Sequence, residues 1–245
     1  MMKEVGEYFL LLSKIFSRPE KLSIFRRKLM FELETIGIDS IFIIALISLF
    51  MGAGVVIQMA VNLENPILPK ALIGYATRES IVLEFSSTVV ALILAGKIGS
   101  NIASEIGTMR ITEQIDALEI MGVNSASYLI MPKVIAAVIF FPLLAALSMI
   151  SGVFGGYITV VATEVIAPYQ YLEGIKMSVI PFYIAYSLIK ISVFGFLIAT
   201  ISGYYGYRPK GNSLEVGQSS TRAVVVSSIM ILVFNLILTQ LMIGK

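Results

Sequence analysis

The sequence contains no cysteine and no histidine, and its charged side chains are scarce. Without cysteine the chain can form neither a disulfide nor a thiolate metal site. Without histidine it lacks the commonest metal ligand and the usual general base near neutral pH. Only 14% of its 245 residues are charged, too few to cover the surface of a soluble globule of that size. The composition therefore excludes a soluble protein and a Ser-His-Asp or cysteine catalytic set.

A nucleotide-binding loop is also missing. The segment AGKIGS at 95–100 contains a Gly-Lys pair, but position 91 is alanine and an isoleucine follows the lysine. That pattern does not build the backbone cradle that holds phosphates in ATP-binding loops. We therefore expect no enzymatic activity and no cofactor in this chain. A net charge of +2 is too small to indicate nucleic-acid binding, and the N-terminal region lacks the apolar core of a signal peptide.

Long apolar runs dominate what is present. Segments 40–61 and 223–244 each hold 22 uncharged residues, and 134–163 holds 30. A helix needs about 20 apolar residues to cross a bilayer. The sequence therefore predicts an all-α integral membrane protein with a single membrane domain over 1–245. Its predicted transmembrane helices cover 36–61, 81–104, 134–163, 177–204 and 223–244.

The segment before the first span has the pattern of an interfacial helix. Apolar residues recur on one helical face, at Val5, Phe9, Leu12 and Phe16 and then, beyond Pro19, at Leu22, Phe25 and Leu29. This pattern predicts an amphipathic helix over 1–35, broken at Pro19 and lying in the membrane interface. The alternative is a solvated N-terminal extension.

The distribution of Lys and Arg predicts the orientation. If the N-terminus is cytoplasmic, the inner segments 1–38, 105–133 and 205–222 carry twelve of the basic residues and the outer segments four. Because basic loops stay in the cytoplasm, we expect a cytoplasmic N-terminus and a periplasmic C-terminus. The inner residues are Lys3, Lys14, Arg18, Lys21, Arg26, Arg27, Lys28, Arg110, Lys133, Arg208, Lys210 and Arg222, and the outer ones are Lys70, Arg78, Lys176 and Lys245.

A charged insert, GTMRITEQIDALEIMGVNS at 107–125, separates the second and third apolar runs. Ile111, Ile115 and Leu118 line one helical face, and the acidic residues Glu113, Asp116 and Glu119 recur at three-residue steps on another. Because glycine commonly ends helices, Gly122 predicts a short cytoplasmic helix over 107–122. One alternative is a helix on the membrane surface. Such helices are usually basic, so the acidic face favours a protein partner.

Ionisable residues inside the apolar runs are the other candidate functional residues. Lys190 lies near the middle of the fourth run, where an unpaired charge would be costly, so we expect it to face the interior. The alternative is a purely structural ion pair. Lys97 and Glu105 lie near the inner end of the second run, where snorkelling to the interface is the alternative. Gly152 and Gly156 form a small-xxx-small pair that predicts close helix contact, within the chain or in a dimer.

Two blocks of the sequence carry a family resemblance. The block AGKIGSNIASEIGTMRITEQIDALEIMGVNSASYLIMPK at 95–133, and SGYYGYRPKGNSLEVGQSSTRAVVVSSIMILVFNLILT near the C-terminus, resemble the MlaE family. That family comprises the permease subunits of the Mla/MCE-type lipid ABC transporters. The resemblance runs from about residue 36 onward. The chain departs from the family at three motif arginines. Leu83 replaces the arginine of the family motif Arg-Glu-Leu-Gly-Pro, Lys97 replaces the arginine of Ala-Gly-Arg, and Lys133 replaces the arginine of Pro-Arg.

The resemblance implies several partner subunits for this chain and the residues that contact them. It implies a coupling helix between the second and third spans, seated in a separate ATPase that binds ATP and Mg. It further implies a homodimer, an MCE-domain lipid-binding protein, and a phospholipid in an inner-membrane cavity. The implied cavity residues are Lys190, Glu105 and Lys97, and the implied ATPase-coupling residues are Arg110, Glu113, Gln114, Asp116 and Glu119.

The leading hypothesis is thus a permease that moves phospholipid and hydrolyses nothing itself. A membrane scaffold that anchors a cytoplasmic partner would explain the insert but not Lys190. An ion-coupled carrier could use Lys190 and Glu105, but would need neither the acidic helix nor ATP.

Overall fold

The structure is a computed structural model that describes residues 2–17, 22–63 and 67–244. The predicted break at Pro19, and the basic residues Arg18, Lys21 and Lys245, lie outside these residues. The α-helices are α1 (Met2–Ser17), α2 (Leu22–Glu32), α3 (Asp39–Asn62), α4 (Ala71–Ser80), α5 (Val90–Leu94), α6 (Ser100–Ile111), α7 (Gln114–Ile120), α8 (Ser125–Thr163), α9 (Pro168–Lys176), α10 (Pro181–Gly206) and α11 (Ser213–Met242).

Short π-helical segments join several of these helices into longer rods. Leu33–Ile38 connects α2 to α3, while Ile81–Val89 and Ala95–Gly99 connect α4, α5 and α6. Among the described residues, five rods are long and apolar enough to cross a membrane: Ile24–Asn62, Ala71–Ile111, Ser125–Thr163, Pro181–Gly206 and Ser213–Met242. The described residues contain no strand. The predicted all-α membrane fold with five spans is confirmed.

The rods extend beyond several of the apolar runs. The third begins at Ser125, and the second begins at Ala71 and runs on to Ile111. Hydrogen bonding within a helix continues through polar residues, so a helix need not end where its hydrophobic run ends. Segment α2, part of the predicted interfacial region 1–35, is likewise continuous with the first rod.

Contacts divide the chain into two units. The first unit comprises Met1–Asp39, Ala91–Phe141 and Ser192–Lys245. Within it α6 packs on α11, where the hydroxyl oxygens of Ser100 and Ser220 lie 2.9 Å apart.

Helix α1 belongs to the first unit and is bonded to α10 and to the segment that follows it. The hydroxyl oxygens of Tyr8 and Thr200 lie 2.8 Å apart, and Arg208 donates a 2.8 Å hydrogen bond to Glu4. This hydrogen bond lowers the pKa of the Glu4 carboxyl. Of the predicted apolar face, Val5, Phe9 and Phe16 are exposed. The helix therefore presents a different face to the protein, and its place in the membrane interface stays a prediction.

The second unit comprises Ser40–Val90 and Pro142–Ile191. Its apolar core includes Val56, Ile73, Val160, Ile166 and Tyr171. Helices α4 and α9 approach backbone to backbone at two glycines: a Cβ on Gly74 would lie 3.2 Å from the Cα of Tyr171, and one on Gly174 would lie 3.0 Å from the Cα of Gly74.

The predicted small-residue contact of the third apolar run is formed within the chain. Gly152 of α8 meets Gly52 of α3, and Gly155 meets the backbone of Leu49. Gly156 instead accommodates the hydroxyl of Tyr171, which donates a 3.1 Å hydrogen bond to the carbonyl of Val153. The absence of side chains at these positions allows α3 and α8 to touch along their backbones.

Candidate functional site

Lys190 forms an ion pair in the interior of the second unit. Its side chain is 0% exposed, and its Nζ lies 2.9 Å from a carboxylate oxygen of Glu84. The same Nζ donates a 3.3 Å hydrogen bond to the carbonyl of Leu83 and lies 4.9 Å from the ring centroid of Tyr186. The burial predicted for Lys190 is confirmed, and its partner is a carboxylate from the second rod.

Glu84 is less enclosed than the lysine it pairs with. It lies in the π-helical segment Ile81–Val89, and its side chain is 45% exposed. Thr88, one turn later, donates a 2.9 Å hydrogen bond to its second carboxylate oxygen. Since a carboxylate is costly against lipid tails, a Glu84 side chain within the bilayer would need a polar cavity or another protein surface on its exposed side.

A second buried centre, in the first unit, joins three helices through Lys133. Its Nζ lies 2.6 Å from a carboxylate oxygen of Glu32 and 2.7 Å from one of Glu105. Lys133 and Glu32 are buried, whereas the Glu105 side chain is partly exposed. Helix α6 supplies Glu105 before the charged insert and α8 supplies Lys133 after it, while α2 supplies Glu32. The three residues therefore tie together both flanks of the insert and the N-terminal part of the first rod.

The three residues predicted for a substrate cavity contact different partners. Lys190 pairs with Glu84 and Glu105 pairs with Lys133, while Lys97 donates a 2.5 Å hydrogen bond to the carbonyl of Asp39. Sequence reasoning did not pair Lys190 with Glu84. The signal that could have predicted the pair was the presence of Lys190 and Glu84 in two predicted transmembrane segments, because opposite charges inside apolar helices stabilise each other when they meet.

The charged insert differs from the single helix predicted over 107–122. Helix α6 ends at Ile111, and α7 begins at Gln114. Between them Glu113 adopts a left-handed backbone conformation, with φ of 58°. A residue in that conformation cannot continue a right-handed helix, so the chain turns there. Gly122, with φ of 78°, makes the second turn before α8.

Two of the acidic residues of the insert stabilise its conformation through contacts within the chain. Arg110 pairs with Asp116, and Ser125 donates a 2.8 Å hydrogen bond to Glu119. On the apolar face, Ile115 is fully buried, as the periodicity predicts. The acidic face is therefore only partly available to a partner, because the side chains of Asp116 and Glu119 are engaged within the chain.

The exposed surface of the insert is partly apolar. Glu113 and Gln114 are exposed, and so are Ile120 and Met121, at 87% and 69%. Sequence reasoning did not single out Ile120 and Met121. The signal was present, since both are apolar residues off the face formed by Ile111, Ile115 and Leu118. A mixed polar and apolar surface of this kind is typical of protein interfaces.

Five apolar rods, a buried ion pair between two of them and a short helix exposed between the second and third rods define a multi-pass membrane protein of the transporter-permease class. The family described as Permease MlaE matches residues 29–241. The chain belongs to this family and is a permease of an ABC transporter. Such a permease works as a dimer together with an ATPase subunit.

Individual relatives match over nearly the whole chain. A probable ABC transporter permease protein of Rickettsia bellii is 37% identical over 239 residues, covering 93% of this chain and 89% of the relative. The intermembrane phospholipid transport system permease protein MlaE of Haemophilus influenzae is 30% identical, and the match covers 96% of this chain and 90% of the relative. The chloroplastic protein TRIGALACTOSYLDIACYLGLYCEROL 1 of Arabidopsis thaliana is 30% identical, and the match covers 85% of this chain and 59% of the relative.

Proposed function

We propose that this permease moves phospholipids between the bacterial inner membrane and an MCE-type periplasmic carrier, driven by a separate ATPase subunit. The relative from Haemophilus influenzae carries the name of a phospholipid transport permease, which supports the substrate class. ATP and Mg bind the partner ATPase, and this chain contributes no catalytic group. Its N-terminus lies in the cytoplasm and its C-terminus in the periplasm, in accord with the distribution of Lys and Arg.

The half-exposed ion pair of Lys190 and Glu84 carries this proposal. A fully buried lysine ammonium meets a carboxylate that is open on one side, within helices long enough to span a bilayer. Facing a second copy of the chain, such a pair would line a cavity with apolar walls and a few charges. A phospholipid would fit such a cavity if the Lys190 ammonium exchanged the Glu84 carboxylate for the lipid phosphate, while the acyl tails met the apolar walls. Lys97 and Glu105, which the family resemblance also implies for a substrate cavity, lie in the first unit, and their role in lipid binding stays a prediction.

Helix α7 is the proposed contact with the ATPase. Glu113, Gln114, Ile120 and Met121 form its exposed surface, while Arg110, Asp116 and Glu119 keep the insert in shape. Because α6 and α8 flank α7 directly, a displacement of α7 by the ATPase would move both transmembrane rods.

Removing the charges of the ion pair tests the lipid cavity. We expect the double variant Lys190→Met with Glu84→Gln to fold and to assemble with the ATPase, because no charge is left buried alone. Its lipid transfer should fall about tenfold or more, since a charge-assisted hydrogen bond to phosphate contributes roughly 1.5–3 kcal/mol. The measurement is nucleotide-dependent transfer of labelled phospholipid between vesicles carrying the complex and acceptor vesicles. The proposed function would be refuted if the double variant transferred lipid as fast as the wild type. It would also be refuted if the wild type transferred lipid equally fast without nucleotide.

Reversing the charge of Glu113 tests the ATPase contact. We expect Glu113→Arg to lower the yield of ATPase that co-purifies with the permease about fivefold, a change that corresponds to losing about 1 kcal/mol of interface energy. The variant keeps a non-glycine residue at the left-handed position, so the turn is unaltered. Glu173→Arg, at an exposed position of α9, is the matched control and should retain the ATPase. Equal loss in both variants would show that net charge rather than α7 governs the association.

A further inference from the structure

A polar cavity of about 650 Å³ opens on the first unit where α2, α6 and α8 meet. Its charged wall is formed by Arg27, Lys28, Glu32 and Glu105. A volume of this size is within the range of small-molecule sites. The Lys190 and Glu84 pair belongs to the second unit and forms no part of this wall.

The basic side of the cavity is partly preorganised. The Nζ of Lys28 lies 3.2 Å from the ring centroid of Tyr128, which also lines the cavity. A cation over an aromatic face is held in place by the ring quadrupole. Arg27 is the adjacent residue on α2, and a guanidinium presents paired donors that match the oxygens of a phosphate.

The acidic residues of the wall do not cancel this positive charge. Glu32 and Glu105 both pair with the buried Lys133, at 2.6 Å and 2.7 Å. Counting Lys133 with Arg27 and Lys28, three cations face two carboxylates, which leaves one positive charge in excess. The excess favours an anionic ligand over a zwitterionic one.

An apolar side of the same cavity indicates that the anion carries a lipid tail. Phe31 and Ile24 line the cavity, and Phe31 is 65% exposed. Both residues lie in the first membrane-spanning rod, Ile24–Asn62. Basic residues at the end of a spanning helix are a recurrent recognition pattern for anionic lipid headgroups. A free phosphate would use the basic side of the cavity and leave Phe31 and Ile24 without a role.

We propose that this cavity binds the phosphate headgroup of an anionic glycerophospholipid, held by Arg27 and Lys28, with the start of its acyl chains against Phe31 and Ile24. The bound lipid would fix α2 beside the Glu32, Lys133 and Glu105 centre. This is a resident lipid site in addition to the transport cavity proposed above.

Binding to the purified full-length chain in detergent tests the proposal. The probes are phosphatidylglycerol, phosphatidylcholine with the same acyl chains, and inorganic phosphate, and native mass spectrometry counts the lipid retained. We expect phosphatidylglycerol to be retained preferentially, and the variant Arg27→Gln with Lys28→Gln to bind it about tenfold more weakly. The matched control is Lys14→Gln with Arg26→Gln, which removes the same charge from exposed positions outside the cavity and should bind as the wild type does.

Three results would overturn the proposal. Equal loss in the two double variants would mean that net charge attracts the lipid. Equal retention of phosphatidylcholine would exclude an anionic headgroup as the ligand. Competition by inorganic phosphate at the lipid's own concentration would make the ligand a free anion. The assay contains neither ATPase nor nucleotide, so its outcome is independent of the transfer assay on Lys190 and Glu84.

Discussion

Replacing Gly52 by alanine is expected to disrupt the packing of α3 against α8 and to destabilise the chain by about 3 kcal/mol. A Cβ at this position would overlap the carbonyl oxygen of Gly152 and lie 2.9 Å from its Cα. The obstructing atoms belong to a helix backbone, which cannot rotate away as a side chain can, so the two helices must separate. Gly155 makes the same kind of approach, since its Cβ would lie 2.8 Å from the Cα of Leu49.

Gly54→Ala is the matched control for this prediction. Gly54 lies in the same helix, and a Cβ there would meet nothing within 4 Å. Alanine is the better helix former by about 1 kcal/mol, so this variant should be as stable as the wild type or slightly more so. Thermal unfolding in detergent, followed by circular dichroism, measures both. Equal midpoints for Gly52→Ala and Gly54→Ala would show that α3 and α8 are not in backbone contact.

Replacing Lys133 by methionine is expected to be similarly damaging. The substitution removes the cation that bridges Glu32 and Glu105 and leaves the buried Glu32 carboxylate without that partner. Breaking a buried ion pair from one side typically destabilises a protein by about 3–5 kcal/mol, and the partial exposure of Glu105 places the expected loss at the lower end. The measurement is the fraction of chain that stays monodisperse after heating in detergent.

A second substitution separates the loss of the charge from the loss of side-chain packing. Adding Glu32→Gln to Lys133→Met removes the unpaired buried charge, so we expect part of the stability to return. Lys176→Met, at an exposed position of α9, should have no effect. If Glu32→Gln restores nothing, the role of Lys133 is packing rather than charge.

Much of the fold could be predicted from the sequence, because bilayer-spanning segments are local. The runs at 40–61, 134–163 and 223–244 are apolar and longer than a membrane is thick, and all but the last two residues of the third run lie in the membrane-spanning rods. The burial of Lys190 followed from the same reasoning, since a charge in the middle of an apolar helix must face the protein. The close contact of Gly152 followed from its small-residue spacing.

The insert shows where sequence periodicity was not sufficient. The apolar face of Ile111, Ile115 and Leu118 predicted one helix, but the left-handed conformation of Glu113 divides it. Glutamate has no intrinsic preference for that conformation, so the local sequence does not predict the turn. The turn accompanies the pairing of Arg110 with Asp116 and the hydrogen bond from Ser125 to Glu119, which join residues on both sides of it.

The sequence alone determined that this chain is a five-span helical membrane protein, because apolar length and helical period depend only on neighbouring residues. The tertiary structure alone decided which charges pair. Glu84 and Lys190 are 106 positions apart, and Glu32 and Lys133 are 101 apart. Ion pairing depends on distances of a few ångströms between side chains of different helices, and those distances are set by helix packing such as the contact of Gly52 with Gly152.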